Sequence, residues 1–272
     1  MNKAMSTPRY SIADLLRVME RLRDPKHGCP WDLKQDFKSI VPSTLEECYE
    51  LASAIEQEDY HHVGEELGDV MFQVVFYAQL GSEQGFFNFE QVVNTLVEKL
   101  VRRHPHVFAA GEIEGVANGS VSVDDVNASW EAIKQQERSA REQHGVLADV
   151  PVALPALPRA QKLQKRAAAV GFDWHEIGSV MQKLEEELEE LRTAIGNDNA
   201  AAVREEMGDV LFSCVNLSRH LKLDAEATLR ESSSKFEQRF RAMELMAAKA
   251  ETPLHELDET ALDSLWEKAK AL

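Results

Sequence analysis

"GEELGDVMF" covers residues 64–72 and "REEMGDVLF" covers residues 204–212, so the chain contains the same acidic-then-apolar stretch twice. In each copy the apolar residues recur at spacings of three and four, which is typical of one face of an α-helix. Each copy also carries a glycine inside the helical pattern, Gly68 or Gly208, where glycine costs about 1 kcal/mol relative to alanine. We therefore expect another backbone or a ligand to approach these two helices closely.

The same helical spacing extends over most of the chain. Apolar stripes cover residues 12–22, 45–56, 67–80, 91–103, 184–195, 207–218 and 229–248. In one of them Met207, Leu211 and Cys214 follow each other at spacings of four and three. No segment alternates convincingly with a period of two residues, so the pattern predicts an all-α fold.

The two quoted stretches belong to a longer internal repeat. Four carboxylates reappear 140 positions later, since Glu47, Glu50, Glu66 and Asp69 correspond to Glu187, Glu190, Glu206 and Asp209. Four further residues reappear 136 positions later, since Lys99, Arg103, Trp130 and Lys134 correspond to Lys235, Arg239, Trp266 and Lys270. The offset changes once, by four residues, which predicts one shortened connection in the second repeat. This ordered correspondence predicts a duplicated domain.

A break between the repeats is visible at residues 138–158, which combine many charges with Pro151, Pro155 and Pro158. Each proline opposes the continuation of a helix. The sequence therefore predicts a first helical domain over residues 1–140, a linker over 141–158 and a second helical domain over 159–272. Two domains of this size suit a chain of 272 residues.

The composition restricts the partners. The net charge is −17, with 47 acidic and 30 basic residues, which argues against nucleic acid or an anionic membrane as the main partner. The three cysteines include no C-x-x-C pair, which indicates a reducing compartment. There is no apolar leader and no stretch of about 18 apolar residues. We therefore expect a cytoplasmic protein that does not enter a membrane.

The repeated carboxylates have the spacing of a metal site. Glu187 and Glu190 are three residues apart, as are Glu206 and Asp209, so each pair shares a helix face. If the two helices pack antiparallel through their apolar stripes, the four carboxylates converge. Such a group needs a compensating cation, and an all-oxygen set suits Mg²⁺ or Mn²⁺ better than zinc.

Two cations follow on the next predicted helix. Lys235 and Arg239 are four residues apart and share a face, so a metal and these cations together would bind a polyphosphate. Interhelical salt bridges are the alternative role for both side chains. Trp266 either stacks on a nucleobase or packs in the core, and Lys270 shares its helix face.

Several of these segments together resemble one known family. They are "TLEECYEL…EELGDVMF", "KLEEELEEL…REEMGDVLF", "KFEQRF", "LWEKAK", "RLRDPKHGCPWD", "RRHPHVF" and "QKRAAAVGFDW". The chain resembles the MazG family of two-domain nucleoside triphosphate pyrophosphohydrolases, which belongs to the all-α NTP pyrophosphatase superfamily. The resemblance covers essentially the whole chain.

The resemblance implies a function. It implies a Mg²⁺-dependent homodimer that hydrolyses nucleoside triphosphates to monophosphate and diphosphate, with broad base tolerance, in nucleotide-pool housekeeping. The family's E-E-x-x-E…E-x-x-D metal motif falls on Glu186, Glu187, Glu190, Glu206 and Asp209 and, in the first repeat, on Glu46, Glu47, Glu50, Glu66 and Asp69. The family's nucleotide contacts fall on Lys235, Arg239, Trp266 and Lys270, with Lys99, Arg103, Trp130 and Lys134 as the first repeat's equivalents. Glu186 or Glu187 is the carboxylate expected to orient the attacking water.

The two repeats differ where the first cation pair ends. Arg103 is followed by His104 and Pro105, and the proline disfavours helix at the residue before it. The equivalent segment of the second repeat has no proline. We therefore favour the second repeat as the main catalyst, and expect the first to be a weaker enzyme or a regulatory nucleotide binder.

Other functions are also open to test. The main rival is a helical interaction module that binds a nucleotide or a protein partner without hydrolysis. A ferritin-like di-iron site needs Glu-x-x-His in both repeats, but Glu58 and His61 correspond to Asp198 and Ala201. The histidines, including His62, are therefore expected at the surface or in the core.

Overall fold

The structure is a computed structural model that describes residues 9–116 and 145–271. Between these ranges it also describes Ser122, Val123, Asp125, Val126, Ser129, Trp130, Ile133 and Glu137. The regular elements of the described residues are helices, without a β-strand, and one isolated antiparallel bridge joins Phe108 to Val116. The predicted all-α class is confirmed.

Nine α-helices lie in the two described ranges, numbered here in chain order. Four precede the break: α1 Ile12–Leu22, α2 Val41–Glu56, α3 Tyr60–Glu83 and α4 Phe89–Arg103. Five follow it: α5 Ala156–Ala168, α6 Ile177–Gly196, α7 Ala200–His220, α8 Ala225–Lys249 and α9 Glu259–Lys270. Short 3-10 helices occupy Asp32–Lys34, Ala109–Gly111 and Leu254–Glu256. None of the helices described has both the length and the apolar composition to span a membrane.

The chain divides into two compact units, Met1–Ile133 and Lys134–Leu272, which we call the N-terminal half and the C-terminal half. Helix α5 begins at Ala156, after Pro155, and has Pro158 in its first turn. Proline is tolerated there because the first turn has no intrahelical partner for that N–H group. The last three residues of the predicted linker are therefore helical, while the predicted domain limits at residues 140 and 158 stay predictions.

Each half contains a helical hairpin, α2 with α3 and α6 with α7. Three residues join the helices in both hairpins. The middle residue has a positive φ in each turn, 56° at Glu58 and 51° at Asp198. The next residue, Asp59 or Asn199, caps the following helix through its side chain. The two turns thus repeat in backbone conformation as well as in length, which sets the same register between the paired helices.

The change of offset between the repeats comes mainly from a difference in the length of one helix. Helix α3 has 24 residues and α7 has 21, and the loop that follows is longer by one residue in the N-terminal half. The expectation of a shortened connection is therefore only partly right. Three of the four missing residues come from the end of the helix.

Each half has its own apolar core. In the N-terminal half the buried cluster consists of Met19, Ile40, Val75, Phe76 and Leu80. In the C-terminal half the larger buried side chains include Val180, Leu191, Val210, Val215 and Met243. Burying one side chain of this kind contributes about 1.5–3 kcal/mol. These contacts hold each hairpin against the neighbouring helices α1 or α5.

The hairpins do not pack through the apolar stripe named from the sequence. Met207 and Leu211 are 45% and 54% exposed, whereas Val210 is only 9% exposed. The N-terminal half is the same, since Leu67 and Met71 are 50% and 47% exposed. Each helix therefore has two apolar faces, and periodicity alone does not tell which one the chain itself covers.

The interior glycines are not close to anything else in the chain. A Cβ atom added at Gly68 or Gly208 would have nothing within 4 Å. The expected close approach of another backbone is therefore wrong for the described part of the chain. Both glycines lie beside the exposed apolar stripes.

Candidate metal and nucleotide site

The N-terminal hairpin brings three of its four predicted carboxylates together. One oxygen each from Glu47 on α2 and from Glu66 and Asp69 on α3 lie within 4.8 Å of one another. We call this group the N-terminal acidic cluster. Glu50 is outside the group, but its charge still contributes to raising the pKa of Glu47.

The C-terminal hairpin also brings three carboxylates together, but the set is different. Glu187 and Glu190 on α6 and Glu206 on α7 have oxygens within 4.8 Å of one another. This group is the C-terminal acidic cluster. Asp209 lies outside it and contributes to raising the pKa of Glu206. The predicted convergence is thus present in both halves, with a different fourth residue at the margin of each.

The most buried carboxylate lies on opposite helices in the two halves. Glu66 on α3 is 5% exposed in the N-terminal cluster, and Glu187 on α6 is 6% exposed in the C-terminal cluster. Their repeat equivalents, Glu206 and Glu47, are only half-buried. A buried carboxylate needs a cation or hydrogen-bond donors to offset the loss of water. The compensating group must therefore lie beside α3 in the N-terminal half and beside α6 in the C-terminal half.

His62 is the protein's partner for Glu66. Its Nε2 lies 2.9 Å from Glu66 Oε1, and its Nδ1 lies 3.3 Å from an oxygen of Glu65. The hydrogen bond to Glu65 is the main cause that raises the pKa of His62, with a further contribution from the charge of Glu66. The other oxygen of Glu66, Oε2, is buried and makes no hydrogen bond to any residue that the structure describes.

Lys183 is the partner for Glu187. Its Nζ lies 2.8 Å from Glu187 and 2.9 Å from Glu186. The hydrogen bond to Glu187, followed by that to Glu186, raises the pKa of Lys183 further above its ordinary value. The positions that correspond to Lys183 and His62 in the other repeat hold Ser43 and Ala202. Neither cation is therefore part of the repeat.

Both clusters keep an excess of negative charge. Burial, followed by the charges of Asp69 and Glu50, raises the pKa of Glu47. Burial, followed by the charges of Glu190 and Asp209, raises the pKa of Glu206. A divalent cation bound to the carboxylates would offset this repulsion, and oxygen-only ligands suit Mg²⁺. The unsatisfied buried oxygen of Glu66 fits the same need.

The predicted nucleotide-binding residues of the C-terminal half lie on α8 and α9, which pack together. The guanidinium carbon of Arg239 lies 5.9 Å from the centre of the Trp266 ring, within range of a cation–π contact. The Phe236 ring lies beside the same tryptophan, with 5.4 Å between the ring centres. Lys235 is exposed, and Lys270 pairs with Glu267 at 2.5 Å. The structure thus places Arg239 beside the tryptophan and leaves both lysines at the surface.

The equivalent region of the N-terminal half has a different surface. Helix α4 ends at Arg103, as Pro105 predicts, whereas α8 extends to Lys249. The His104 ring meets the Trp130 ring edge-on, with 5.0 Å between their centres. His104 Nδ1 donates to the carbonyl oxygen of Leu100 at 2.7 Å. A histidine therefore lies against this tryptophan, where the second half has Phe236 and Arg239.

The remaining predicted residues of this half are placed in part. Lys99 and Arg103 are half-buried. Lys134 lies outside the described residues. The geometry of the first repeat's nucleotide site is therefore given only for Lys99, Arg103 and Trp130.

Sequence reasoning missed both partners of the buried carboxylates. His62 was expected at the surface or in the core; it is exposed, and it also contacts Glu66. No role was predicted for Lys183 from the sequence. Each lies four residues before its carboxylate, and oppositely charged side chains at this spacing on a helix are neighbours. A comparison of the repeats at positions 43 and 202 would have indicated that these two cations belong to one half each.

These features define a class of protein: a duplicated all-α domain in which each repeat gathers three carboxylates on one helical hairpin. A family model described as the MazG nucleotide pyrophosphohydrolase domain matches residues 35–108 and 175–243, once in each repeat. The matched segments contain both hairpins and all eight repeated carboxylates. The chain belongs to the MazG family.

The relatives are similar along nearly their whole length. A nucleoside triphosphate pyrophosphohydrolase of Escherichia coli K12 is 47% identical over 263 residues, which are 95% of this chain and 97% of the relative. The nucleoside triphosphate pyrophosphohydrolase/pyrophosphatase MazG of Thermotoga maritima is 44% identical over 257 residues, 94% of each chain. The crystal structure of a mazG-related protein from Thermotoga maritima is 25% identical, with a TM-score of 0.38, over 46% of this chain and 99% of that one.

Proposed function

We propose that this protein hydrolyses nucleoside triphosphates to the monophosphate and diphosphate, using Mg²⁺ held mainly in the C-terminal half. The membership of the MazG family and the names of the E. coli and T. maritima relatives support a hydrolase that acts on nucleoside triphosphates. The observation that carries the metal-dependent part is the C-terminal acidic cluster, three carboxylates within 4.8 Å of one another.

The C-terminal cluster, with Asp209 beside it, would hold Mg²⁺, and Mn²⁺ would replace it because both prefer oxygen ligands. When bound, such an ion polarises phosphate oxygens and lowers the pKa of a coordinated water. The raised pKa of Glu206 supports this assignment, since burial, followed by the charges of Glu190 and Asp209, disfavours its ionised form, and a bound cation would offset these effects.

The protein's own side chains orient the water, compensate the charge of the leaving group and bind the base. Glu186 or Glu187 orients a water and accepts a proton from it as the water oxygen bonds to the α-phosphorus, while the bond from that phosphorus to the bridging oxygen breaks and diphosphate leaves. Lys235, Arg239 and Lys270 offset the charge that develops on the diphosphate. Trp266 stacks on the base, and its position beside Arg239 supports this role. Because every base has a π-face, stacking is compatible with broad base tolerance.

The N-terminal half is proposed to be a weaker enzyme or a regulatory nucleotide binder. It retains Glu47, Glu50, Glu66 and Asp69 as metal ligands, with Lys99, Arg103, Trp130 and Lys134 as nucleotide contacts. The end of α4 at Arg103 supports a weaker role. The cation pair of the N-terminal half lies at the end of its helix, whereas α8 continues beyond Arg239 to Lys249.

A homodimer is part of the proposal. The exposed stripes on α3 and α7 support it, because contiguous apolar surface on a helix face is typical of an interface. A second copy would cover Leu67 and Met71, or Met207 and Leu211. Sedimentation equilibrium should give twice the chain mass, and Leu211→Glu should shift the mass toward one chain. A mass of one chain for the unchanged protein would contradict the dimer.

The setting is proposed as nucleotide-pool housekeeping in the cytoplasm. All three cysteines are free, which suits a reducing compartment. The net charge of −17 supports a free nucleotide with its metal, rather than nucleic acid or an anionic membrane, as the partner.

Product analysis tests the proposal directly. ATP and dTTP are incubated with the protein and Mg²⁺, and the products are separated by anion-exchange chromatography. The unchanged protein should release monophosphate and diphosphate. Glu190→Gln should remove most of this turnover, while the matched Glu50→Gln in the first repeat should cause the smaller loss.

Two outcomes would contradict the hydrolase, and a third would contradict the main role of the C-terminal half. Release of a nucleoside diphosphate and phosphate, in place of monophosphate and free diphosphate, would show that another phosphoanhydride bond is hydrolysed. Binding of nucleotide without any turnover would favour the helical interaction module. Equal losses in the two variants would remove the preference for the C-terminal half.

A further inference from the structure

The two acidic clusters differ in how their buried carboxylate is neutralised. In the C-terminal half Lys183 lies 2.8 Å from Glu187 and 2.9 Å from Glu186. A lysine ammonium is charged at neutral pH, and this one contacts both carboxylates. The most buried carboxylate of the C-terminal cluster is therefore already compensated by a charge of the protein.

The N-terminal half has no lysine at this place. Ser43, the equivalent of Lys183, is neutral and lies one helical turn before Glu47. Glu66, the buried member, has one ion-pair contact, at 2.9 Å with His62, whose side chain is 50% exposed. An ion pair with an exposed partner is screened by solvent and contributes little.

One oxygen of Glu66 also has no hydrogen-bond donor in the described residues. Glu66 is 95% buried, and Oε2 is inaccessible to solvent. Leaving a buried charged acceptor unsatisfied is costly. Glu47 and Asp69 lie within 4.8 Å of Glu66 and add repulsion instead of relief.

We propose that the N-terminal acidic cluster holds a divalent cation in the absence of nucleotide, whereas the C-terminal acidic cluster acquires its cation together with the triphosphate. In the C-terminal half Lys183 competes with a free cation for Glu187, and the negative charge of a triphosphate outweighs that competition. In the N-terminal half the described competitor is His62, which is half exposed and contacts only Oε1, so it leaves Oε2 of Glu66 without a partner. This inference rests on the proposed function only in taking both clusters as cation sites.

Mn²⁺ binding to the full chain without nucleotide tests the proposal. Free Mn²⁺ is measured by electron paramagnetic resonance after equilibrium with the protein, in buffer without phosphate. We expect one bound Mn²⁺ per chain. Glu66→Gln should weaken it by at least about tenfold, while the matched Glu206→Gln should leave it in place. Circular dichroism checks that both variants remain helical.

An exchange of the lysine between the halves sharpens the test without altering any carboxylate. Ser43→Lys places an ammonium one turn before Glu47 and should weaken the nucleotide-free Mn²⁺ site by about tenfold. Lys183→Ser should add a second nucleotide-free Mn²⁺ per chain. No bound Mn²⁺ in the unchanged protein, or no response to either exchange, would overturn the proposal.

Failure of this inference and failure of the proposed function give different results. Turnover of ATP with Mg²⁺, but no Mn²⁺ bound without nucleotide, overturns the inference alone, and a water then satisfies Glu66. One Mn²⁺ bound without nucleotide, but no turnover, supports the inference and contradicts the proposed hydrolase.

Discussion

The two halves of the molecule have the same hairpin and the same four acidic positions, yet a different side chain neutralises the most buried carboxylate in each half. The turns match in length, in the positive φ of Glu58 and Asp198, and in the cap that follows. The supporting cation is His62 on α3 in one half and Lys183 on α6 in the other. The backbone thus preserves the meeting of the carboxylates, while the side chain that neutralises the most buried carboxylate of each cluster lies outside the repeat.

The strongest test of this comparison removes equivalent carboxylates. Asp209→Asn should lower kcat on the order of 10²–10³-fold, because it removes charge that holds the metal and stabilises the transition state. Asp69→Asn should lower it far less if the C-terminal half is the main catalyst. Diphosphate release under saturating ATP and Mg²⁺ measures both. Equal losses would mean that the halves share the work.

The tryptophans provide the next test. Trp266→Ala should raise KM by about tenfold, because stacking on a base contributes about 1–3 kcal/mol. Trp266→Phe should restore most of the affinity, since it keeps an aromatic face. Trp130→Ala should change KM less, and a similar increase there would show that both halves bind the hydrolysed nucleotide.

Acid stability should also distinguish the halves. The hydrogen bonds from Arg219 lower the pKa of Asp173 to about 2. A lowered pKa stabilises the folded state above the ordinary value of 3.8 and loses this effect as the pH falls through about 2. Asp173→Asn should therefore cost about 1 kcal/mol at pH 7, after allowance for solvent screening, and almost nothing near pH 2.

The matched change in the N-terminal half is Glu83→Gln. Arg23 binds Glu83 through two hydrogen bonds of 2.8 and 2.7 Å and lowers the pKa of that carboxyl. Urea unfolding at pH 7 and pH 2 compares the two variants. A loss at pH 7 that stays constant down to pH 2 would contradict the assigned role of either ion pair.

The smallest expected effect concerns the hairpin turns. Glu58 and Asp198 adopt positive φ values, which cost an ordinary residue about 1–2 kcal/mol. Glycine avoids this cost but adds freedom to the unfolded chain, so Glu58→Gly and Asp198→Gly should each stabilise by about 0.5 kcal/mol. Thermal unfolding measures both. Opposite signs in the two halves would mean that the turns are not equivalent.

Much of the fold was predictable because helical periodicity is a local property. The spacing of Glu187 and Glu190, and of Glu206 and Asp209, places each pair on one face whatever surrounds the helix. The repeat then predicted that both halves build the same hairpin. The end of α4 at Arg103 followed from Pro105 alone.

The rest depended on tertiary packing. The stripe with Met207 and Leu211 is as apolar as the covered face, so its exposure became visible only when the helices were placed. The same holds for Glu66 and Glu187, because burial decides which carboxylate needs a cation. Lys183 and His62 lie at a suitable helical spacing, but many exposed pairs share that spacing without any function.

The three-residue turn of each hairpin has a consequence for how such sites change over time. One residue inserted between α2 and α3 would change the register of α3 against α2, and a shift of one residue along a helix corresponds to a rotation of about 100°. Glu66 and Asp69 would then leave the side of the helix that faces Glu47, although no ligand had been altered. Insertions and deletions in this family should therefore be tolerated after Glu83 or His220, beyond the acidic clusters, and be rejected at Glu58 and Asp198.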